Sequence, residues 1–268
     1  MRFRSGLVVA FGLIACPLFA HEFWIDPVKF QVAAGGPVVA EFRVGQNFKA
    51  PPGVFLQTRT TRHEYGHQGR LFPVPAQSGD RPAMRLEHAP QGLVVLIHET
   101  TDSRLTYADF QKFADFIEHK RLDGAVQAHK TRGLPDRGFT EGYRRFAKSL
   151  VAVGHGQGQD FATGLQIEIV ALKNPYTDDL PNGLPVQVLL NGAPRAGVQV
   201  EVFEKPVDST APAQTITTLT TNGAGIAHVP VTAGHIYMLD NVALLPVTDA
   251  STDMVWRSLW ANLAFQMP

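Results

Sequence analysis

The stretch Gly92-Leu93-Val94-Val95-Leu96-Ile97-His98-Glu99-Thr100 decides the fold class. As a strand it turns Leu93, Val95 and Ile97 to one side and Val94, Leu96 and His98 to the other. Apolar residues on both faces place it inside a sheet that is covered on both sides. Upstream, Phe30 and Val32, then Val38, Ala40, Phe42 and Val44, alternate with polar or small residues, and Gly35-Gly36-Pro37 marks a turn between them. Short strands are expected at Val54–Thr60, Leu71–Val74 and Met84–Leu86. Downstream the period changes. Tyr107, Phe110, Phe113, Phe116 and Ile117 form one helical stripe, with Ser103 or Thr106 as its cap. A second short helix is expected at Ala125–Arg132. A third, from about Thr140, would bury Tyr143, Phe146 and Leu150 and expose Arg144, Arg145 and Lys148.

The pattern returns to β at Leu165–Ala171. Asn174-Pro175-Tyr176 and Leu180-Pro181-Asn182-Gly183-Leu184-Pro185 form a proline-rich linker, the best domain boundary in the chain. Beyond it come short strands separated by Asn191-Gly192, a strong hairpin turn, and by Asn222-Gly223-Ala224-Gly225. The expected fold is therefore mainly β. Two β-sandwich-like domains, 21–173 and 184–268, follow a leader at 1–20, and the first domain carries an α-helical insertion at about 104–151.

The leader is read from Arg2 and Arg4, the apolar run Ser5 to Ala15, and Pro17 before a cleavage point after Ala20. That run is too short to span a bilayer, which takes about 20 helical residues. No later stretch suits a span either. The expected location is the periplasm. Leu13-Ile14-Ala15-Cys16 also resembles a lipobox, and lipidation there would tether the chain instead. Cys16 is the only cysteine, so a chain cut after Ala20 has no disulfide and no thiol nucleophile. Losing Arg2 and Arg4 from a balanced set of 24 basic and 24 acidic residues leaves a slightly acidic protein, which argues against a nucleic-acid partner.

Cleavage after Ala20 makes His21 the first residue. Its free amine, its imidazole and the next backbone nitrogen form a chelating set. His63-Glu64-Tyr65-Gly66-His67 is formally His-Glu-x-x-His, which in metalloproteases requires a helix. Here Thr58, Thr60, Thr61 and Gly66 argue against one. A non-catalytic metal contact and a solvated loop or strand end remain open for His63 and His67. His98 stands beside Glu99 on the buried strand, either as a neutral core histidine or as a ligand. No Gly-x-Ser-x-Gly elbow is present, and no catalysis is expected.

The start His21-Glu22-Phe23-Trp24, with Tyr143-Arg144-Arg145-Phe146-Ala147-Lys148, Gly164-Leu165-Gln166-Ile167-Glu168, Asn174-Pro175-Tyr176, Asn191-Gly192-Ala193-Pro194 and Trp256-Arg257-Ser258-Leu259-Trp260-Ala261-Asn262-Leu263, resembles a bacterial periplasmic family of unknown function. That family is described as the periplasmic component of cobalt or nickel uptake systems. The C-terminal half is also similar to transthyretin-like or collagen-adhesin B-type sandwiches. The resemblance implies a protein that binds a divalent transition metal, nickel or cobalt or else copper, and hands it to a transporter component of the inner or outer membrane. His21, His63, His67 and His98 are the candidate ligands; imidazole suits these ions. The family pattern has a His-Met pair before the closing tryptophan segment, where this chain reads Asn241-Val242-Ala243-Leu244, so that ligand pair is absent. The alternative function is a metal-free envelope scaffold or a carbohydrate- or protein-binding module.

Overall fold

The computed structural model describes residues 21–213 and 215–268. The expected leader and Cys16 lie outside the described residues. Among the described residues the chain is mainly β, a sandwich-like stack of three sheets with two short α-helices. The large middle sheet runs in the order Thr215–Thr220, Gln199–Pro206, His235–Pro246, Met254–Met267, Phe139–Val153, Gly92–Thr100, Thr60–His67, Arg70–Pro73. Its neighbours on this path are antiparallel except at the centre, where Phe139–Val153 and Met254–Met267 run parallel.

The strand that decides the fold class behaves as its pattern dictates. Leu93, Val95 and Ile97 pack against Ile167, Ile169, Val186 and Val188 of a small sheet on one side. Val94 and Leu96 pack against Phe23, Ile25 and Phe42 of another small sheet on the other. Asn191 and Gly192 both adopt positive φ, 51° and 76°, joining Leu190 to Ala193 in the two-residue turn expected of Asn-Gly.

The expected third helix is instead the 15-residue strand Phe139–Val153. Phe146 and Leu150 contribute to one core, while Ala147, Val151 and Val153 contribute to the other. A strand buried on both faces loses the apolar–polar alternation that would identify it, so a chance 3.6-residue spacing reads as a helical stripe. Ser103–Tyr107 is also a strand. The helical insertion is thereby reduced to Phe110–His119 and Ala125–Thr131. The first helix is capped by Asp109, whose carboxylate accepts the Gln111 backbone N–H, rather than by Ser103 or Thr106. Its Phe113 and Phe116 pack on Trp256 and Trp260.

The large sheet draws strands from both sides of the proline-rich linker, and so does its core: Leu93 and Phe146 share a cluster with Val186 and Leu263. The linker thus joins Ile167–Ala171 to Leu184–Leu190, antiparallel neighbours in one small sheet, within a core shared by both sides. No helix among the described residues is long and apolar enough to cross a membrane.

Candidate functional site

Two of the four candidate histidines meet. Strands Thr60–His67 and Gly92–Thr100 are antiparallel neighbours, and their register places His63 opposite His98. The two Nδ1 atoms lie 3.3 Å apart. Both rings are buried inside an aromatic box: Phe55 lies 4.6 Å from His63, and Phe42 4.2 Å from His98, centroid to centroid. Phe23 closes the box against His98 at 5.5 Å.

Removal from water disfavours an imidazolium. Burial lowers the His63 pKa to about 4 against the opposing pull of Asp80. Burial lowers that of His98 to about 3, and the neighbouring His63 adds to the effect. Both imidazoles are therefore neutral at neutral pH. His63 Nε2 is buried with no hydrogen-bond partner among the described residues.

The other two candidates fall elsewhere. His67 lies further along the same strand, partly buried, with Nδ1 3.3 Å from the Leu93 carbonyl. The His-Glu-x-x-His segment is strand, so its two histidines do not share the helical face that metalloprotease chemistry needs. His21 is exposed and lines a shallow concavity with Gly45, Asn47 and Lys49. Its carbonyl accepts from Arg145 at 3.0 Å. Among the described residues, no group of three or more His, Cys, Asp or Glu is placed to hold a metal ion.

Behind His21 lies a second constellation that spacing alone does not reveal. Glu22 turns inward from the first strand, and Lys120 ends the first helix. Glu201 and Asp240 sit opposite each other on neighbouring strands. The Lys120 ammonium donates to Asp240 at 2.9 Å and to Glu201, with Glu22 at 3.5 Å and the Trp260 ring centroid at 4.9 Å. His119 pairs with Glu201 at 3.0 Å. Burial opposes the lysine charge, but Asp240, Glu201 and Glu22 outweigh it and hold the pKa above the ordinary lysine range. Burial raises Glu22 to about 7, against Lys120 and with help from Asp240.

A carboxyl that takes up its proton more readily when folded stabilises most below its unfolded pKa. That contribution is lost as pH rises from about 4.5 through about 7. Glu22→Gln is accordingly expected to leave stability unchanged near pH 4 and to raise it by on the order of 1–3 kcal/mol at pH 8. Lys120 keeps Asp240 and Glu201 in that variant. Thermal unfolding at the two pH values checks this; a variant less stable than wild type at pH 8 contradicts it.

The model of the family described as "Domain of unknown function (DUF4198)" matches residues 18–243. No curated protein matches the chain. Among solved structures, a mutant of Salmonella alpha-2-macroglobulin is 14% identical, with 94% of this chain and 15% of that one covered, at a TM-score of 0.23. This chain thus spans a small part of that protein's length, and so low a score bears on neither fold nor function.

Proposed function

This chain belongs to the DUF4198 family, and from that premise we propose that it binds a late transition-metal ion as cargo, anchored by His63 and His98. The proposed setting is the periplasm, with a membrane transporter component receiving nickel, cobalt or copper. The single observation behind this reading is the 3.3 Å separation of the two Nδ1 atoms. Two imidazole nitrogens about 2.0–2.1 Å from one tetrahedral ion stand about 3.3–3.4 Å apart. Both rings are already neutral, so no proton has to be displaced from either. The same distance also fits one Nδ1–H···Nδ1 hydrogen bond between opposite tautomers.

Two imidazole nitrogens leave Cu²⁺, Ni²⁺ and Co²⁺ alike to complete their coordination with water or other donors. The affinity order of divalent ions favours copper. Titration of the processed chain with Cu²⁺, Ni²⁺ and Co²⁺ tests the reading. One ion should bind per chain, at least 100-fold more weakly in His98→Phe, and within threefold of wild type in His21→Ala. Binding that survives His98→Phe refutes it.

A second reading, a metal-free scaffold, is favoured by the aromatic enclosure of the pair and the lack of a third donor among the described residues. On that reading His98→Phe is as stable as wild type and neither protein binds an ion.

A further inference from the structure

A cleft of about 580 Å³, lined by none of the four candidate histidines, opens between the second helix, the turn before Gln199–Pro206 and the end of His235–Pro246. Its volume falls within the range of small-molecule sites, about 300–1,000 Å³. Leu122, Ala128, Val198 and Leu244, all half-buried, give it an apolar lining. Its charge is unbalanced: Arg121, Arg132 and Arg195 line it with a single carboxylate, Asp123.

The two half-buried arginines are held by neutral acceptors. Arg132 donates from Nη1 to the Val255 carbonyl at 2.9 Å and from Nη2 to the Val247 carbonyl at 2.6 Å, with its Cζ 4.8 Å above the Trp256 ring. Its terminal nitrogens are thereby committed, and it lends the cleft charge rather than grip. Arg195 is placed differently. Its N–H donates to the Val188 carbonyl at 2.9 Å, and its carbonyl accepts the Thr221 hydroxyl at 2.7 Å. Its Nη1 donates to Asn241 Oδ1 at 2.5 Å and to the Val242 carbonyl at 3.2 Å. A guanidinium carries five N–H donors in a rigid fork. Nη1 uses two. Nε and Nη2, an edge that can grip a carboxylate with two parallel bonds, keep three donors without acceptors among the described residues. Both atoms remain accessible. Burial lowers the Arg195 pKa, and no neighbouring charge opposes the shift. Asp123 is therefore not its counter-charge.

We propose that this cleft binds a small apolar carboxylate, its charged end on the Nε–Nη2 edge of Arg195 and its hydrocarbon body over Val198 and Leu244. The bonds from Nη1 hold the planar fork in one orientation before a ligand arrives, so little further freedom is lost on binding. The site is separate from the histidine pair and does not depend on a metal.

The test titrates the metal-free full chain with sodium hexanoate at pH 7 and low ionic strength, following the backbone N–H resonances of Gly197 and Val198 by NMR. Saturable one-site binding is expected, with a shift of the Arg195 Nε–H resonance as it gains an acceptor. Acetate, which lacks the hydrocarbon body, hexan-1-ol, which lacks the charge, and inorganic phosphate should each bind at least tenfold more weakly. Arg195→Met should weaken hexanoate binding at least tenfold. Arg195→Lys, which keeps the charge and loses the fork, should stay at least fivefold weaker than wild type. Arg121→Met, at the exposed rim, should change binding less than threefold. Arg195→Gln, checked by its melting temperature, serves if the methionine variant does not fold. Absence of saturable binding, hexan-1-ol or phosphate binding as tightly as hexanoate, or Arg195 variants binding as tightly as wild type overturns the proposal and leaves the metal reading untouched.

Discussion

Replacing Lys120 with methionine is expected to lower the melting temperature at pH 8 by roughly 6–20 °C, from a loss of about 3–5 kcal/mol at about 2–4 °C per kcal/mol for a chain of this size. The methionine supplies an apolar chain of similar length but gives up the ammonium's place 4.9 Å from the Trp260 ring centroid. What disappears is the ammonium shared by three buried carboxylates: Asp240 at 2.9 Å, Glu201, and Glu22 at 3.5 Å. Glu201 retains His119. Asp240 and Glu22 keep the weaker attraction of Arg145 and, for Asp240, of His119, and a buried charge so poorly compensated costs more than the pair ever contributed. The variant's carboxyls will bind protons more readily when folded than when unfolded. Its deficit against wild type should therefore be largest at pH 8 and shrink as pH falls towards 4. Adding Asp240→Asn should restore part of the loss, because it removes one of the stranded charges. Scans of the single and double variants at pH 4 and 8 decide the matter. A single variant within 2 °C of wild type at pH 8 would mean that water, and not the ammonium, balances this cluster. The cluster also fixes where His21 stands, since Glu22 anchors the first strand from its next residue.

The chain announces its fold where a run is uniformly apolar or one face differs from the other, and conceals it where charged and polar residues are buried among apolar ones. Gly92–Thr100 is legible because Leu93, Val95 and Ile97 and their neighbours Val94 and Leu96 are unbroken apolar residues of strand length. The short helices are legible through Phe113, Phe116 and Ile117, which bury one stripe on Trp256 and Trp260. Phe139–Val153 is not, because Lys148, Ser149 and Glu141 interrupt its apolar run while lying inside the protein. A charge in the sequence reads as solvent exposure unless its partner is known, and the partners here come from distant strands. The same reason hides the Lys120 cluster, whose members are separated by up to 218 positions between Glu22 and Asp240. Of the candidate site, His63 and His98 were visible as residue types, but only the strand register brings them together. His129, which no sequence pattern singles out, is fully buried, with Nδ1 accepting from Trp256 at 3.1 Å and Nε2 3.0 Å from the Pro135 carbonyl.

Asp160→Ala is expected to cost about 3–5 kcal/mol, more than Lys148→Met at the other end of the same pair. Asp160 ties three elements to one carboxylate. Its Oδ1 lies 2.8 Å from the Lys148 ammonium and accepts the Phe161 N–H at 2.9 Å. Its Oδ2 accepts the same ammonium at 3.0 Å and the Ala171 N–H at 2.8 Å. Lys148 thus sits in the middle of the large sheet, Ala171 on the facing small sheet, and Phe161 on the loop between them. Alanine leaves a buried ammonium with the Phe161 carbonyl at 3.2 Å and Glu168 at 3.6 Å, and strands the Ala171 N–H. Methionine at 148 leaves Asp160 both backbone donors, which satisfy a carboxylate well on their own. Combining Lys148→Met with Asp160→Asn removes both charges and keeps an acceptor for Ala171. The double variant should therefore be more stable than the sum of its single changes allows, by about 1–3 kcal/mol. Urea unfolding of the four proteins of this cycle at pH 7 measures the coupling. Strict additivity would mean that the ammonium and carboxylate are held by their other partners and only happen to be adjacent. A positive coupling makes this pair the clamp that joins the two sheets, at a position where the sequence suggests an exposed helix face.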